Sequence, residues 1–181
     1  AVIGGGMIGA SLAVLLSRFP LGRLQLVDTD PVKRDMARAM GIEAVEPEAL
    51  QAECDIIYHA STTEAGLAQG LERLGDEGEL VELSWFGSHV PAVPLGTSFH
   101  ARRLRITASQ VSTIGRARRY RRTHAARMDL VMHMLQDPVF DALISGESGF
   151  ADLPGAIAGL AQGELPTLCR AIRYPDPGPR G

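Results

Sequence analysis

Three glycines near the start of the chain, at positions 4, 6 and 9, separate a short apolar run from an apolar helical pattern. The stretch Gly4-Gly5-Gly6-Met7-Ile8-Gly9 has the spacing G-x-G-x-x-G. In such a loop the first glycine permits a tight turn, the second a close backbone approach, and the third close packing of helix on strand. A helix that begins there offers free N–H groups to an anion, so the loop predicts a pyrophosphate site.

Short apolar runs alternate with helical patterns over the first hundred residues, which is typical of βαβ units in a parallel sheet. The predicted strands are Val2–Ile3, Leu24–Asp28, Ile42–Ala44, Ile56–Ala60, Leu80–Ser84 and Leu104–Thr107. The predicted helices between them are Ile8–Ser17, Pro31–Met40 and Glu64–Leu74. The pattern therefore predicts an α/β fold, a Rossmann doubly wound parallel sheet with strand order 3-2-1-4-5-6.

Helix boundaries have their own signals. Asp30 is placed to cap a helix that begins at Pro31, and Gly41 to end it. The stretch Ser61-Thr62-Thr63-Glu64 is typical of a capping box.

The pattern changes in the last third of the chain. We predict one long helix from Arg116 to Leu135, a break at Asp137-Pro138, a helix at Leu153–Ala161 and a strand at Leu168–Tyr174. The proline-rich tail at 175–179 predicts no regular structure. Residues 1–112 are thus a predicted NAD-binding Rossmann domain. Residues 113–181 are predicted as a helical C-terminal segment, which we expect to be part of a catalytic domain whose N-terminal portion is absent from this chain.

Composition excludes several classes of protein. The uncharged stretch at the start of the chain, Ala1–Ser17, is too short to span a bilayer and has no basic leader, so we expect no membrane association and a cytoplasmic location. Cys54 and Cys169 lie far apart and have neither disulfide-framework nor zinc-finger spacing. Because the first strand is short and the chain begins with alanine, we expect the natural protein to extend further at its N-terminus.

An acidic residue ends the second predicted strand. Asp28 comes 19 residues after Gly9, near the spacing at which a carboxylate accepts hydrogen bonds from the ribose hydroxyls of NAD. Its charge would repel the 2′-phosphate of NADP, so NAD is favoured over NADP. Lys33 and Arg34 remain open as phosphate ligands or as solvated residues of a helix.

A basic block lies in the middle of the chain, with nine arginines and no acid in residues 101–128. Without a nucleic-acid motif, we interpret it as a solvated helix face or as a contact with acidic surface of the same protein, and we expect no nucleic-acid partner. Binding of an anionic substrate stays open. His59, after the fourth strand, is interpreted as a hydrogen-bonded structural residue, and no histidine has metal-ligand spacing.

Several segments in order resemble the medium-chain dehydrogenase/reductase superfamily, the zinc-type alcohol dehydrogenases. These segments are Val2 to Gly9, Leu26 to Asp28 with Lys33, Ala37 to Gly41, Asp55 to Ser61, and Gly78 to Leu83. Late in the chain they are Asp141 to Ser145, the helix after Leu153-Pro154, and Arg170 to Ile172. The resemblance implies an oxidoreductase that transfers hydride between NAD(H) and an alcohol or carbonyl substrate.

The resemblance also implies site residues. Asp28 and Lys33 would hold the adenosine ribose, and Gly4, Gly6, Met7, Ile8 and Gly9 the pyrophosphate. Ser61 and Ser84 would lie beside the nicotinamide half, and Arg170 would approach the pyrophosphate. In that family the zinc ligands and proton-relay residues belong to an N-terminal domain and the segment before the cofactor domain. We therefore assign no catalytic or metal residue here, and zinc only through that further domain. The chain given is expected to bind NAD without catalysing.

Other interpretations stay open. Gly6 to Ala13 is similar to the opening of prephenate and 3-hydroxyacid dehydrogenases, although the C-terminal half lacks the helical pattern expected there. A non-enzymatic NAD-sensing module would use the same cleft. Short-chain reductases are excluded because no tyrosine has a lysine four residues later. Gly9 favours a dinucleotide over the cofactor of a methyltransferase. A second copy of the chain stays a candidate partner.

Overall fold

The computed structural model describes residues 1–165 and 168–175. It divides the chain into two compact units, one ending at Gln136 and the other starting at Asp137. This division lies downstream of residue 112, where the sequence places its domain boundary. Assignment of residues 113–181 to another domain of the whole protein stays a prediction, and the predicted irregular tail after Pro175 lies outside the described residues.

The first unit contains a six-stranded parallel sheet. Its strands are β1 (Val2–Ile3), β2 (Gln25–Val27), β3 (Glu43–Val45), β4 (Cys54–His59), β5 (Leu74–Glu82) and β6 (Arg105–Ala108), in the order β3-β2-β1-β4-β5-β6. The helices are α1 (Met7–Leu16), α2 (Pro31–Ala39), α3 (Glu64–Arg73), the short α4 (Ser98–Ala101) and α5 (His124–Met134). The predicted Rossmann fold and its strand order are confirmed.

The sheet is stabilised by apolar residues that its strands and α3 bury together. Ile57, Leu74 and Leu80 are completely buried, and Leu67 and Leu71 of α3 pack against the same core. Burying each such side chain contributes roughly 1.5–3 kcal/mol relative to leaving it in water. This core fixes the carboxyl ends of β1, β2 and β4 side by side, and the candidate site lies at that edge.

One predicted cap is confirmed and another is wrong. The Asp30 carboxylate accepts a hydrogen bond from the Val32 amide at 2.9 Å, Pro31 begins α2, and Gly41 follows the helix at φ +80°. The capping box at Ser61 does not form. Thr63 caps α3 instead, because its hydroxyl accepts from the Gly66 amide at 3.1 Å.

The predicted long helix from Arg116 to Leu135 is also wrong. The helix begins after Thr123, whose hydroxyl caps it at the Ala126 amide, and residues 116–121 form turns. Arg118 and Arg122 would be four residues apart on a helix face with no acid nearby, and like charges at that spacing destabilise a helix. Residues 116–122 also bury no side chain that would offset this repulsion.

The second unit is built around a βαβ arrangement. β7 (Ile144–Gly149) and β8 (Cys169–Arg173) pair in parallel, and α6 (Leu153–Ala161) lies between them in sequence. Helix α6 and strand β8 match the predictions, whereas β7 was not predicted because its sequence has two glycines and one β-branched residue. In the described part of the chain, no helix is both long and apolar enough to cross a membrane.

Candidate cofactor-binding site

The glycine loop joins β1 to α1, and each glycine at the three spaced positions meets a different constraint. Gly4 has φ +105°, and a Cβ there would lie 2.7 Å from the backbone of Ala60 and Ser61. A Cβ on Gly9 would collide with the Gly4 carbonyl oxygen. A Cβ on Gly6 would meet nothing within 4 Å. The loop therefore turns tightly, packs its helix closely, and leaves Gly6 open for another molecule to approach.

The first turn of α1 faces this opening with little side-chain cover. Gly6 is the N-cap and has no side chain to accept from the helix amides, and the first turn contains no acidic residue. Met7 and Ile8 are 49% and 62% exposed. The amides at the start of a helix have no intrahelical acceptor, so they are available to an anion such as a pyrophosphate.

Asp28 follows β2 and is held in one orientation by two amides. The Gly5 amide donates to Oδ2 at 2.7 Å and the Asp30 amide donates to Oδ1 at 2.8 Å. Lys33 Nζ lies 3.8 Å from Oδ2. A carboxylate oxygen has two acceptor positions, so each oxygen retains one toward the cleft. Asp28 is thus a fixed acceptor, linked directly to the glycine loop.

Arg34 does not have the position that a phosphate ligand would need. Its side chain donates to the carbonyl oxygens of Asp28 and Thr29, both at 2.9 Å, and pairs with Glu46 at 2.9 Å. Arg34 is only 8% exposed. The open alternatives for Arg34 are therefore both wrong: it is a buried residue that ties α2 to the strand ends. Of Lys33 and Arg34, only Lys33 lines the cleft at this edge of the sheet.

A cleft of about 390 Å³ joins these features at the carboxyl ends of β1, β2 and β4. Its lining includes Gly4, Gly6, Asp28, Lys33, Ser61 and Gln69. Ligands of open α/β sheets bind in the crevice at this edge, where the strand order reverses. The residues fit a dinucleotide: open helix amides at one point and a fixed carboxylate at another.

Ser61 lies on the cleft wall, and its hydroxyl contacts a histidine that is paired with a carboxylate. Its Oγ is 2.7 Å from Nε2 of His59, which is completely buried. His59 Nδ1 lies 2.8 and 2.9 Å from the two carboxylate oxygens of Glu82. The ring of Phe86 stacks on His59 at 6.1 Å between centroids. The structural interpretation of His59 is correct, and Ser61 is its contact with the cleft.

Ser84 is close to this group and makes a different set of contacts. Its Oγ accepts from the Thr62 amide at 3.1 Å, and its own amide donates to Glu82 at 2.7 Å. Ser84 does not line the cleft described above. Its predicted place beside a nicotinamide stays a prediction.

Sequence reasoning missed Glu82. His59 and Glu82 are register partners at the ends of the adjacent parallel strands β4 and β5. Carboxyl ends of neighbouring parallel strands meet at one edge, and this rule would have paired the two residues. Glu82 was not identified as a strand-end residue because the fifth strand was predicted to continue to Ser84, which placed Glu82 inside that strand.

The other predicted residues lie elsewhere. Arg170 is on β8 in the second unit, where it donates to Ser148 Oγ at 2.5 Å and to the Glu147 carbonyl at 2.6 Å. Its approach to a pyrophosphate stays a prediction. In the basic block, Arg102 pairs with Asp76 and Glu53, the predicted contact with acidic surface of the same protein. Within the described residues, no cluster of three metal-ligating side chains occurs.

The solved structures to which this fold is similar include several dehydrogenases. Benzyl alcohol dehydrogenase from Acinetobacter calcoaceticus matches with TM-score 0.73 and 14% identity, over 96% of this chain and 49% of that one. L-idonate 5-dehydrogenase from Escherichia coli matches with TM-score 0.74 and 17% identity, over 95% and 49%. An Escherichia coli alcohol dehydrogenase complexed with NADH matches with TM-score 0.68 and 17% identity, over 94% and 50%.

No protein-family model matches the chain, and no curated protein matches it by sequence. The chain spans about half the length of the solved structures to which it is similar. At these identities the likeness establishes the fold. The fold implied by the resemblance is confirmed: the chain folds like about half of these dehydrogenases, and it is similar in the same way to an alcohol dehydrogenase zinc-binding domain protein from Burkholderia ambifaria.

Proposed function

We propose that the chain is the NAD(H)-binding portion of an alcohol dehydrogenase-like oxidoreductase. The observation that carries this proposal is the Gly5 amide hydrogen bond to Asp28, which links the glycine loop to the carboxylate at the end of β2. It places the open amides of α1 and a fixed acceptor on one cleft. A pyrophosphate and a ribose diol need those two features.

Bound nicotinamide would supply the hydride chemistry, and the residues of this chain would bind and orient it. Gly4, Gly6 and the first turn of α1, with Met7 and Ile8, would hold the pyrophosphate. Asp28 and Lys33 would hold the adenosine ribose. The alcohol or carbonyl substrate, and any zinc, would be bound through a further domain of the whole protein, which is the basis for expecting no turnover from this chain alone.

Titration of the chain with NADH and with NADPH, followed by nicotinamide fluorescence, tests the proposal. NADH should bind about tenfold or more tightly than NADPH, because the 2′-phosphate would face the Asp28 carboxylate in a partly buried position. Lys33, whose Nζ lies 3.8 Å from the carboxylate and which lines the cleft, would offset part of that repulsion. Equal or tighter binding of NADPH would contradict the assignment of Asp28.

A panel of alcohols offered with NAD to the full-length protein separates an enzyme from an NAD-sensing module. Turnover supports the dehydrogenase. Tight NADH binding without turnover of any alcohol would favour the sensing module instead.

A further inference from the structure

A glutamine side chain on the wall of the cleft is bonded to a backbone carbonyl group of another segment. Gln69, on helix α3, donates from Nε2 to the carbonyl oxygen of Pro47 at 2.6 Å. Both residues line the cleft that contains Asp28. Pro47 follows β3 and α3 follows β4, and in the sheet these two strands are separated by β2 and β1. The hydrogen bond therefore ties α3 to the segment after β3.

The carbonyl group of Pro47 has a fixed position. Pro47 begins a short 3₁₀ helix, and its carbonyl oxygen also accepts from the Leu50 amide at 3.3 Å. Leu50 is buried in the apolar core. Glu46, the residue before Pro47, pairs with Arg34, which also donates to the carbonyl oxygen of Asp28. The segment after β3 is thus anchored both to the core and to the residue proposed to bind the ribose.

This carbonyl group determines the orientation of the Gln69 carboxamide. A carbonyl oxygen can only accept, so the atom that contacts Pro47 is the amide nitrogen. A carboxamide turned the other way would bring two acceptor oxygens within 2.6 Å of each other. Nε2 and Oε1 therefore cannot exchange places without loss of the bond to Pro47.

The other atom of the carboxamide, Oε1, is an accessible acceptor. No described residue donates a hydrogen bond to it. In the described part of the chain, the buried side-chain nitrogen and oxygen atoms without a partner are Arg34 Nε and Arg73 Nε, so Oε1 of Gln69 is not buried. Because Gln69 lines the cleft, this oxygen is available to a molecule bound there.

The cleft beside Gln69 suits a flat aromatic base. Val27, Pro47 and Ala65 give its lining an apolar character. Asp28 follows Val27 and would hold the adenosine ribose, to which the base is directly bonded. Cofactor sites typically combine such apolar walls with a few placed polar groups that recognise the edge of the ligand. On this wall Gln69 supplies a polar group of fixed orientation.

We propose that Gln69 selects a 6-aminopurine as the base of the bound dinucleotide, because its Oε1 accepts a hydrogen bond from the 6-amino group. The inference rests on the proposed function, since the base belongs to the same dinucleotide. Adenine has an amine donor at this position, whereas a 6-oxopurine has an acceptor oxygen there. That oxygen would face Oε1, and the bond to Pro47 prevents the carboxamide from turning over to donate to it.

The test compares NADH with reduced nicotinamide hypoxanthine dinucleotide, the analogue in which an oxygen replaces the 6-amino group. The two molecules carry the same reduced nicotinamide, so its fluorescence reports the binding of both. The unmutated chain should bind NADH about fivefold to tenfold more tightly than the analogue, the effect of one hydrogen bond that the analogue cannot form. This comparison needs no variant to fold.

Replacing Gln69 with leucine removes the acceptor and keeps a side chain of similar size. Gln69→Leu should bind NADH about fivefold to tenfold more weakly than the unmutated chain does, and should bind the two dinucleotides with affinities within about twofold of each other. The matched control is Gln51→Leu, the same change at the opposite edge of the sheet. This control should keep the preference for NADH.

Equal binding of the two dinucleotides by the unmutated chain, or tighter binding of the analogue, would overturn the inference and leave the proposed function intact. A preference for NADH that persists in Gln69→Leu would also overturn it, because another group would then recognise the base. An unmutated chain that binds neither dinucleotide would overturn the proposed function together with the inference.

Discussion

Gly9→Ala is expected to lower the free energy of unfolding by about 2–4 kcal/mol and the melting temperature by about 5–15 °C. The added Cβ would collide with the carbonyl oxygen of Gly4, which is backbone and cannot rotate away. Helix α1 would have to move off the sheet. Alanine gains about 1 kcal/mol of helix propensity over glycine, which offsets only part of this cost. Thermal unfolding followed by circular dichroism measures the result.

Gly6→Ala is the matched control for this prediction. The same methyl group is added three residues earlier in the loop, where nothing lies within 4 Å. Its stability should fall by less than about 1 kcal/mol, the usual cost of alanine at an N-cap. Because the methyl projects into open space at the cleft, NADH binding should weaken even though the fold is retained. Equal loss of stability in both variants would contradict the close packing assigned to Gly9.

Asp28→Asn is expected to weaken NADH binding by about tenfold to a hundredfold, because hydrogen bonds to a charged acceptor are each worth about 1.5–3 kcal/mol. NADPH binding should stay the same or become tighter, since the charge that repels its 2′-phosphate is removed. Lys33, which lies 3.8 Å from the carboxylate, would then be the nearest charge to that phosphate. Fluorescence titration of both nucleotides against the variant measures the two effects together.

Asp28→Asn is expected to weaken the binding of NADH without weakening that of NADPH, whereas a loss of folding would weaken the binding of both nucleotides. Asp35→Asn is the control, since Asp35 carries the same charge on α2 but is exposed and pairs with Arg38. It should change neither affinity by more than about twofold. A parallel fall in NADH and NADPH binding by Asp28→Asn would show that Asp28 supports only the loop.

Local patterns in the sequence were sufficient to predict which segments form the strands of the sheet. A short stretch of sequence is enough to identify Gly4 as a turn residue, Gly9 as a packing contact and Asp28 as the end of a strand. The order of the strands followed from general rules of connection. These features are predictable because neighbouring residues decide them.

The errors arise where distant residues decide. Ser61 was predicted to cap a helix, yet its hydroxyl contacts His59, which Glu82 orients from another strand. Arg34 seemed available to a phosphate, yet Glu46 and two carbonyl groups hold it. Glu82 is 23 residues from His59 and Glu46 is 12 residues from Arg34, so a local periodicity pattern does not pair them.

Charge explains a third difference. The stretch from Arg116 onward contains no glycine or proline before Pro138, so the sequence pattern extends the predicted helix back to Arg116. The structure begins the helix at His124, after the cap at Thr123. Helix propensity and hydrophobic periodicity do not include the repulsion among closely spaced arginines. This repulsion decides where the helix starts.

Amide hydrogen exchange of the chain with and without NADH tests the central claim most directly. A second groove of about 320 Å³ lies at the opposite edge of the sheet, lined by residues that include Arg23, Gln51 and Cys54. NADH should slow exchange in peptides that contain Gly4–Gly9 and Asp28–Lys33, and leave those around Gln51 unchanged. Protection at the opposite groove, or no protection in the glycine loop, would contradict the account.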